Sequence, residues 1–384
     1  MEFLIIGAGL SGSVIARELA EYGHKVIIWE RRPQIGGNMY DYIDKHGILV
    51  HAYGPHTFHT KSKVLYDYIC KFAEWQPYHV KCGAEINGKF TPTPFNFKTI
   101  DDYFSENEAE ELKQRIKRYY KNQNTATVLE VLNCDDSMIK SYAEFLFAND
   151  YSLYTSKQWG ISPNKVDQSI LKRVPLRFSY DEGYFDDEYQ VMPKISYQQF
   201  FANLLNHSNI EIKLGIEALE HLTVDKSKNC ILIDGKKCNK TVVYTGTLDE
   251  LFRMDLGQLP YRSLRFEWHY EKIDSKQPYP VTAYPQAKGF TRITEYKKLP
   301  VQNVKGTSYA VEYPVHFEAG KQIEPYYPLL TEESQHMSKI YKERASKIEN
   351  FFFCGRLSDY KYYNMDQALE RALNLSRDII NGME

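Results

Sequence analysis

Nothing in this chain approaches the ~18 uninterrupted apolar residues that a membrane-spanning helix needs, and it holds no C-x-x-C pair, P-loop, Ser-His-Asp order or paired-carboxylate pattern. The missing apolar run predicts a protein of the cytoplasm without a membrane span. The Met-Glu start lacks a basic n-region, so the apolar first segment reads as a strand rather than a signal peptide. Six cysteines (Cys70, Cys82, Cys134, Cys230, Cys238, Cys354) show no metal-type spacing with the eleven histidines, which predicts reduced thiols and no metal site. An excess of one charge is also missing: 48 basic residues face 50 acidic ones. No global field attracts nucleic acid or anionic lipid, so an anionic ligand must be held by local arginines. Internal repeats and low-complexity linkers are absent.

What is present begins at Phe3 to Gly12, F-L-I-I-G-A-G-L-S-G, an apolar run followed by Gly7, Gly9 and Gly12. A buried parallel strand feeding a glycine-only turn lets a pyrophosphate approach backbone N–H groups at a helix N-terminus, where partial positive charge favours an anion. Gly23 closes the helix, Lys25 to Trp29 reads as a second strand, and Glu30 stands at its end. A carboxylate there can accept both ribose hydroxyls of a dinucleotide. Strand, turn, helix, strand and acid in that order predict a bound nucleotide cofactor.

A length of 384 residues suits two or three domains, at about 100–200 residues each. We read an α/β (mixed α+β) chain: a discontinuous Rossmann-like FAD-binding domain over 1–78, 190–246 and 345–384, a helical domain over 99–160, and an antiparallel sheet and substrate domain over 79–98, 161–189 and 247–344. The cues are periodic. Leu112, Ile116 and Tyr119 share a helical face, Asn87-Gly88 between apolar runs predicts a hairpin, and Val242 to Tyr244 reads as a returning strand before Thr245-Gly246. A heavy load of 31 tyrosines suits an aromatic-lined pocket for a polar ligand.

Residue type and setting mark the candidate site residues. Gly36 and Gly37 permit a second close backbone approach, and Asn38 can cap the segment after them. Near the C-terminus, an apolar strand running into Gly355-Arg356 can set an N–H and a guanidinium beside a flavin's phosphates or ribityl chain. Arg173 and Arg292 sit among apolar residues, which suits either a diphosphate or a buried salt bridge to Asp181 or Glu295. Tyr184, Tyr313 and Tyr362 can add hydroxyl donors. Tyr154 can stack on a nucleobase, with Thr155 beside it and Trp159 either walling a sugar pocket or stapling two domains. His56 and His59 read as core histidines or as hydrogen-bond partners of a flavin.

As a set, G-A-G-L-S-G, E-R-R-P-Q-I-G-G-N, H-A-Y-G-P-H-T-F-H-T, Y-T-S-K-Q-W-G, L-K-R-V-P-L-R-F, E-G-Y-F, F-T-R-I-T-E, P-Y-Y-P and G-R-L-S-D-Y-K-Y-Y-N-M-D resemble the bacterial UDP-galactopyranose mutase family over nearly the full length. The resemblance implies an isomerase that interconverts UDP-galactopyranose and UDP-galactofuranose through a flavin N5-glycosyl adduct. It implies FAD as cofactor, active when reduced, a homodimer, and a supply of furanose for cell-surface polysaccharide. By motif it assigns Arg173, Arg292 and His56 to catalysis. Gly7, Gly9, Gly12, Glu30, Arg31, Gly36, Gly37, Asn38, His56, His59, Gly355 and Arg356 go to the cofactor. Tyr154, Thr155, Trp159, Arg173, Tyr184, Arg292, Tyr313, Tyr362, Asn364 and Val80 go to the substrate, with Arg173 on a mobile lid.

Three departures stand out. Asp150-Tyr151 replaces an apolar pair before the nucleobase tyrosine, Val80 stands where a polar residue meets the sugar, and Asn364 replaces an acid. An apolar Val80 suggests a sugar with one hydroxyl fewer. Related nucleotide sugars, dTDP-fucopyranose or UDP-N-acetylgalactopyranose, are therefore alternatives, as are an amine-oxidase-like flavin oxidoreductase and a non-catalytic escort-type binding protein of the same fold.

Overall fold

Along the strand Glu2–Ile6, successive side chains leave for opposite faces, Phe3 and Ile5 into one apolar core and Leu4 and Ile6 into another. A strand buried on both sides belongs inside a parallel sheet covered by two layers. The computed structural model describes residues 1–159, 174–319 and 323–382, with Trp159 described in its backbone only. In it, five parallel strands run in the spatial order Ile210–Leu214, Lys25–Glu30, Glu2–Ile6, Thr241–Tyr244 and Phe351–Phe353. Three distant stretches of chain thus build one sheet. The helices Leu10–Glu21, Tyr197–Leu205 and Met365–Asn381 bury their apolar sides in the first core. The second core is closed by Leu248–Leu251, by Glu332–Ala345 and by a small antiparallel sheet, Leu222–Asp225, Cys230–Ile233 and Lys236–Lys237.

Between residues 97 and 159 the chain is mainly helical, interrupted by the short strand Thr125–Ala126, and has its own core around Leu112, Ile116, Ile139 and Leu146. Side-chain caps start these helices: Asn96 accepts from the Lys98 N–H, Thr127 from Glu130, and Asp136 from both Met138 and Ile139. The last of them, Ser152–Trp159, is entered through one π-helical turn, Phe147–Tyr151. Such turns reset the phase of the side chains and frequently mark functional sites.

Seven strands form the other sheet, in the order Tyr327–Pro328, Tyr261–Glu271, Thr307–His316, Arg292–Glu295, Val281–Ala283, Cys82–Ile86 and Lys89–Thr93. It is mixed rather than purely antiparallel, because Val281–Ala283 pairs parallel with Cys82–Ile86. The long excursion between those strands frees them from hairpin geometry. Asn87 and Gly88 turn the edge hairpin with φ of 53° and 77°, as a two-residue turn of this type requires. A two-residue strand, Leu176–Arg177, pairs with Thr125–Ala126 of the helical region.

Candidate active site

Two cavities meet in the groove between the parallel sheet, the mixed sheet and the helical region. The first, about 530 Å³, lies over the C-terminal ends of the parallel strands and is lined by Gly7, Gly9, Gly12, Glu30, Arg31, Gly36, Gly37, Asn38, His56, Gly355 and Arg356. Bare backbone is what opens it. A Cβ on Gly7 (φ +104°) would stand 2.2 Å from Thr245 Oγ1, one on Gly12 2.0 Å from the Gly7 carbonyl oxygen, and one on Gly37 (φ +55°) 2.8 Å from the Gly9 Cα. The second glycine pair therefore exists to stack on the first turn. Thr245, which also donates to the Ile6 carbonyl, was not singled out from sequence, although the Thr245-Gly246 step was.

The acid of this cavity is held by backbone. Glu30 accepts from the N–H groups of Ala8 (2.7 Å) and Arg32 (2.9 Å), one on each oxygen, which leaves each oxygen a second lone pair for a ribose hydroxyl. Arg31 reaches Glu324 and Glu217, while Arg32 binds Asn38 Oδ1 at 2.9 Å and lies 4.1 Å over the Tyr53 ring. Arg356 donates to the Tyr326 carbonyl and lies 5.0 Å from the Tyr327 ring centre. Glycine cradle, helix N-terminus and acid fit the pyrophosphate and ribose of FAD.

His56 faces this cavity in a defined state. Its Nδ1 stands 2.8 Å from the Gly54 carbonyl and must carry the proton, so Nε2 presents a lone pair. Burial, with Arg356 and Arg292 nearby, depresses its pKa to about 4, and the ring stays neutral at physiological pH. His59 is placed differently from the expectation of a cofactor contact. It lines the second cavity, pairs with Asp187 at 2.6 Å and stacks on Phe185 at 3.6 Å. The phase of its strand, Phe58–Thr60, turns it away from the first cavity.

The second cavity, about 590 Å³, collects Val80, Asp150, Tyr151, Tyr154, Thr155, Arg177, Tyr184, Arg262, Arg292, Tyr327, Tyr362 and Asn364. Asn364, at the N-terminus of Met365–Asn381, also lines the first and joins the two. Arg292 is pinned by Nε to Glu312 Oε2 at 2.6 Å; Glu312 has no solvent exposure and also accepts from Thr294 Oγ1 at 3.0 Å. Its salt-bridge partner is thus Glu312, neither Asp181 nor Glu295. Asp181 instead pairs with Arg177 at 2.7 Å, and Glu295 with Lys298 at 3.1 Å. With Nε spent, the guanidinium keeps four N–H donors, and the side chain is partly open to the cavity.

Two residues carry this cavity that sequence reasoning passed over. Arg262 is buried beside Arg292, donates to the Gln158 carbonyl at 3.3 Å and lies 4.5 Å over Tyr327. Tyr327 stacks on Tyr362 at 5.2 Å and 11°. The P-Y-Y-P motif contained it. Tyr313, expected at the substrate, is corrected by strand alternation. Its neighbour Glu312 points to Arg292, so Tyr313 points to the opposite face, where it packs under Arg265 at 4.2 Å and against Phe290. Arg173 lies outside the described residues, and so does the side chain of Trp159.

Lys157 ties the helical region to the mixed sheet. Its ammonium donates to the carbonyls of Tyr284 (2.5 Å), Ala287 (2.8 Å) and Phe290 (2.9 Å), the loop that leads into Arg292. Burial lowers its pKa to about 8.

Comparison with known proteins agrees with this layout. The profile of the UDP-galactopyranose mutase family matches residues 150–362, and that of NAD(P)-binding Rossmann-like domains residues 5–72. The chain is 34% identical to dTDP-fucopyranose mutase of Escherichia coli over 97% of each chain. It is 31% identical to UDP-galactopyranose mutase of Mycoplasma pneumoniae over 99% of this chain and 96% of the other. The solved structure of a reduced UDP-galactopyranose mutase shares the fold, with a TM-score of 0.70 at 16% identity over 100% of this chain and 96% of that one.

Proposed function

This chain belongs to the UDP-galactopyranose mutase family, and from that premise we propose that it interconverts UDP-galactopyranose and UDP-galactofuranose in the second cavity. It is an FAD-dependent isomerase. Reduced FAD, when bound, supplies an electron-rich nucleophile for the sugar's anomeric carbon. The chain's own residues do the rest. Arg292, fixed by Glu312, holds the diphosphate while it departs and returns, and Arg262 adds a second guanidinium from the strand on the other side of Thr307–His316. Arg173 is proposed as a third, arriving from outside the described residues. Tyr154 and Tyr327 wall the cavity against water, and neutral His56 offers a lone pair to the cofactor without adding charge.

The observation that carries the reading is the pinned Arg292 in a cavity that meets the glycine cradle at Asn364. A dithionite-reduced enzyme given UDP-galactofuranose should yield UDP-galactopyranose without consuming reductant, and the oxidised enzyme should not. Stoichiometric loss of reductant would instead mark an oxidoreductase. Val80 supports a second reading: it is 5% exposed, its carbonyl is taken by the Tyr184 N–H, and its side chain can make no hydrogen bond to a sugar, which suits a 6-deoxy sugar such as that of dTDP-fucopyranose. Turnover of dTDP-fucofuranose in preference to UDP-galactofuranose would select it. The reading extends to cytoplasmic action as a homodimer, supported by six free cysteines suited to a reducing compartment and checked for oligomeric state by light scattering.

A further inference from the structure

Asp150 stands in the second cavity with its carboxyl unbonded by any donor among the described residues, although it is only 8% exposed. A buried polar group is ordinarily hydrogen-bonded, because leaving it unpaired costs the whole desolvation penalty. A carboxyl that faces the cavity with no donor on it among the described residues offers a ligand there a hydrogen-bond partner.

Its place identifies which part of the ligand. Arg292, Arg262 and Asp150 all act on the buried Tyr154 hydroxyl, whereas Lys157 is the charge that acts on Asp150. Asp150, one turn before Tyr154, lines the cavity together with that tyrosine and both arginines, and Asn364 joins this cavity to the first. A nucleotide sugar whose diphosphate rests on Arg292 carries its base past Tyr154. The surroundings suit a flat ring: Tyr151, Tyr154 and Phe95 line the same region, with Phe95 and Tyr151 edge to face at 5.6 Å.

We infer that Asp150 is the residue that reads the nucleobase, accepting a hydrogen bond from the imide N3–H of a uracil or thymine ring. The inference rests on the functional reading above. The π-helical turn supplies the placement, since Asp150 belongs to Phe147–Tyr151 and shares the cavity with Tyr151, Tyr154 and Thr155. Burial raises its pKa to about 7. In the protonated state its two oxygens match the imide edge, one accepting from N3–H and the other donating to the adjacent ring carbonyl. The groups facing it are Lys157, Tyr151 and Tyr154, with Tyr103 from the helix Phe97–Tyr103; Lys157 stays charged below its pKa of about 8.

The test uses the holoenzyme with UDP and N3-methyl-UDP as probes, titrated calorimetrically at pH 6.5. N3-methylation should weaken binding to the wild type by roughly tenfold or more. Asp150→Leu should bind both probes alike, at the weaker level, while Asp150→Asn, which keeps an acceptor and a donor, should keep the discrimination. With UDP-galactose as probe and oxidised enzyme, wild-type affinity relative to Asp150→Asn should fall between pH 6 and 7.5. Equal wild-type affinity for UDP and N3-methyl-UDP overturns the inference without needing any variant, and so does undiminished discrimination in Asp150→Leu. Failure of the wild type to bind UDP at all would overturn the functional reading itself, a separate outcome.

Discussion

At the scale of single residues, the decisive fact is that Arg292 is fixed by a carboxylate that solvent never reaches. A guanidinium held this way costs no reorganisation when charge develops on the diphosphate. Arg292→Ala should therefore remove about 2–4 kcal/mol of transition-state stabilisation, a drop in kcat/KM of roughly 10²–10³. Because Glu312 acts through Arg292, Glu312→Gln should add little to Arg292→Ala, and a double-mutant cycle on kcat/KM checks this. The neighbouring tyrosines separate the two faces of one sheet. Tyr327→Ala should impair turnover, and Tyr313→Phe should leave it near normal, since Tyr313 packs under Arg265 away from the cavity. Steady-state kinetics on both variants would reveal equal losses if the alternation were misassigned. The glycines, Glu30 and Arg292 were legible because their chemistry has a fixed address in a strand-turn-helix or an apolar strand. The choice between Tyr313 and Tyr327 was not, because residue type says nothing of which face a strand presents.

Elements place these residues, and the joint between two of them is Lys157. The helix Ser152–Trp159 brings Tyr154 and Thr155, the loop before Arg292–Glu295 brings Arg292, and a single ammonium bonded to three carbonyls holds the pair in register. Hydrogen bonds from a charged donor are worth about 1.5–3 kcal/mol each when their removal leaves buried acceptors unpaired. Lys157→Met should weaken UDP binding by roughly tenfold or more, and Lys157→Arg should recover part of it. The pH dependence has a definite sign. A lowered pKa means the charged form is lost early, so KM should rise as pH climbs through about 8, whereas the Met variant should show no such rise. The glycine turn makes a second element-scale expectation. Gly37→Ala forces a Cβ at φ +55° to within 2.8 Å of the Gly9 backbone, so roughly 1–3 kcal/mol of strain should appear as lost flavin absorbance in the purified protein. Lys157 sat in plain view within K-Q-W-G, yet its role depends on a loop more than 120 residues away that no local pattern connects to it.

The whole molecule is a device for bringing two cavities into contact at one asparagine. Alternation and turn signals made the discontinuous parallel sheet and the helical stretch readable, since each strand carries its own apolar run. The mixed order of the second sheet and the packing of Glu332–Ala345 on the parallel sheet were not readable, because both are set by long-range pairing. Ligand linkage should obey the same division. On the proposed function FAD would contact the loops after the parallel strands, while UDP would span the helical region and the mixed sheet. Each ligand should then slow hydrogen exchange in its own set of elements. FAD should protect the turn before Leu10–Glu21 and the segment after Phe351–Phe353. UDP added to the FAD-bound enzyme should newly protect Phe147–Tyr151, Ser152–Trp159 and the loop into Arg292–Glu295. At a hundredfold excess over its Kd, UDP should add about 2.7 kcal/mol of stability. Exchange-mass spectrometry reads both sets in one experiment. Protection by UDP confined to the glycine turns would mean that the nucleotide occupies the first cavity, and the division of labour proposed for the two cavities would be wrong.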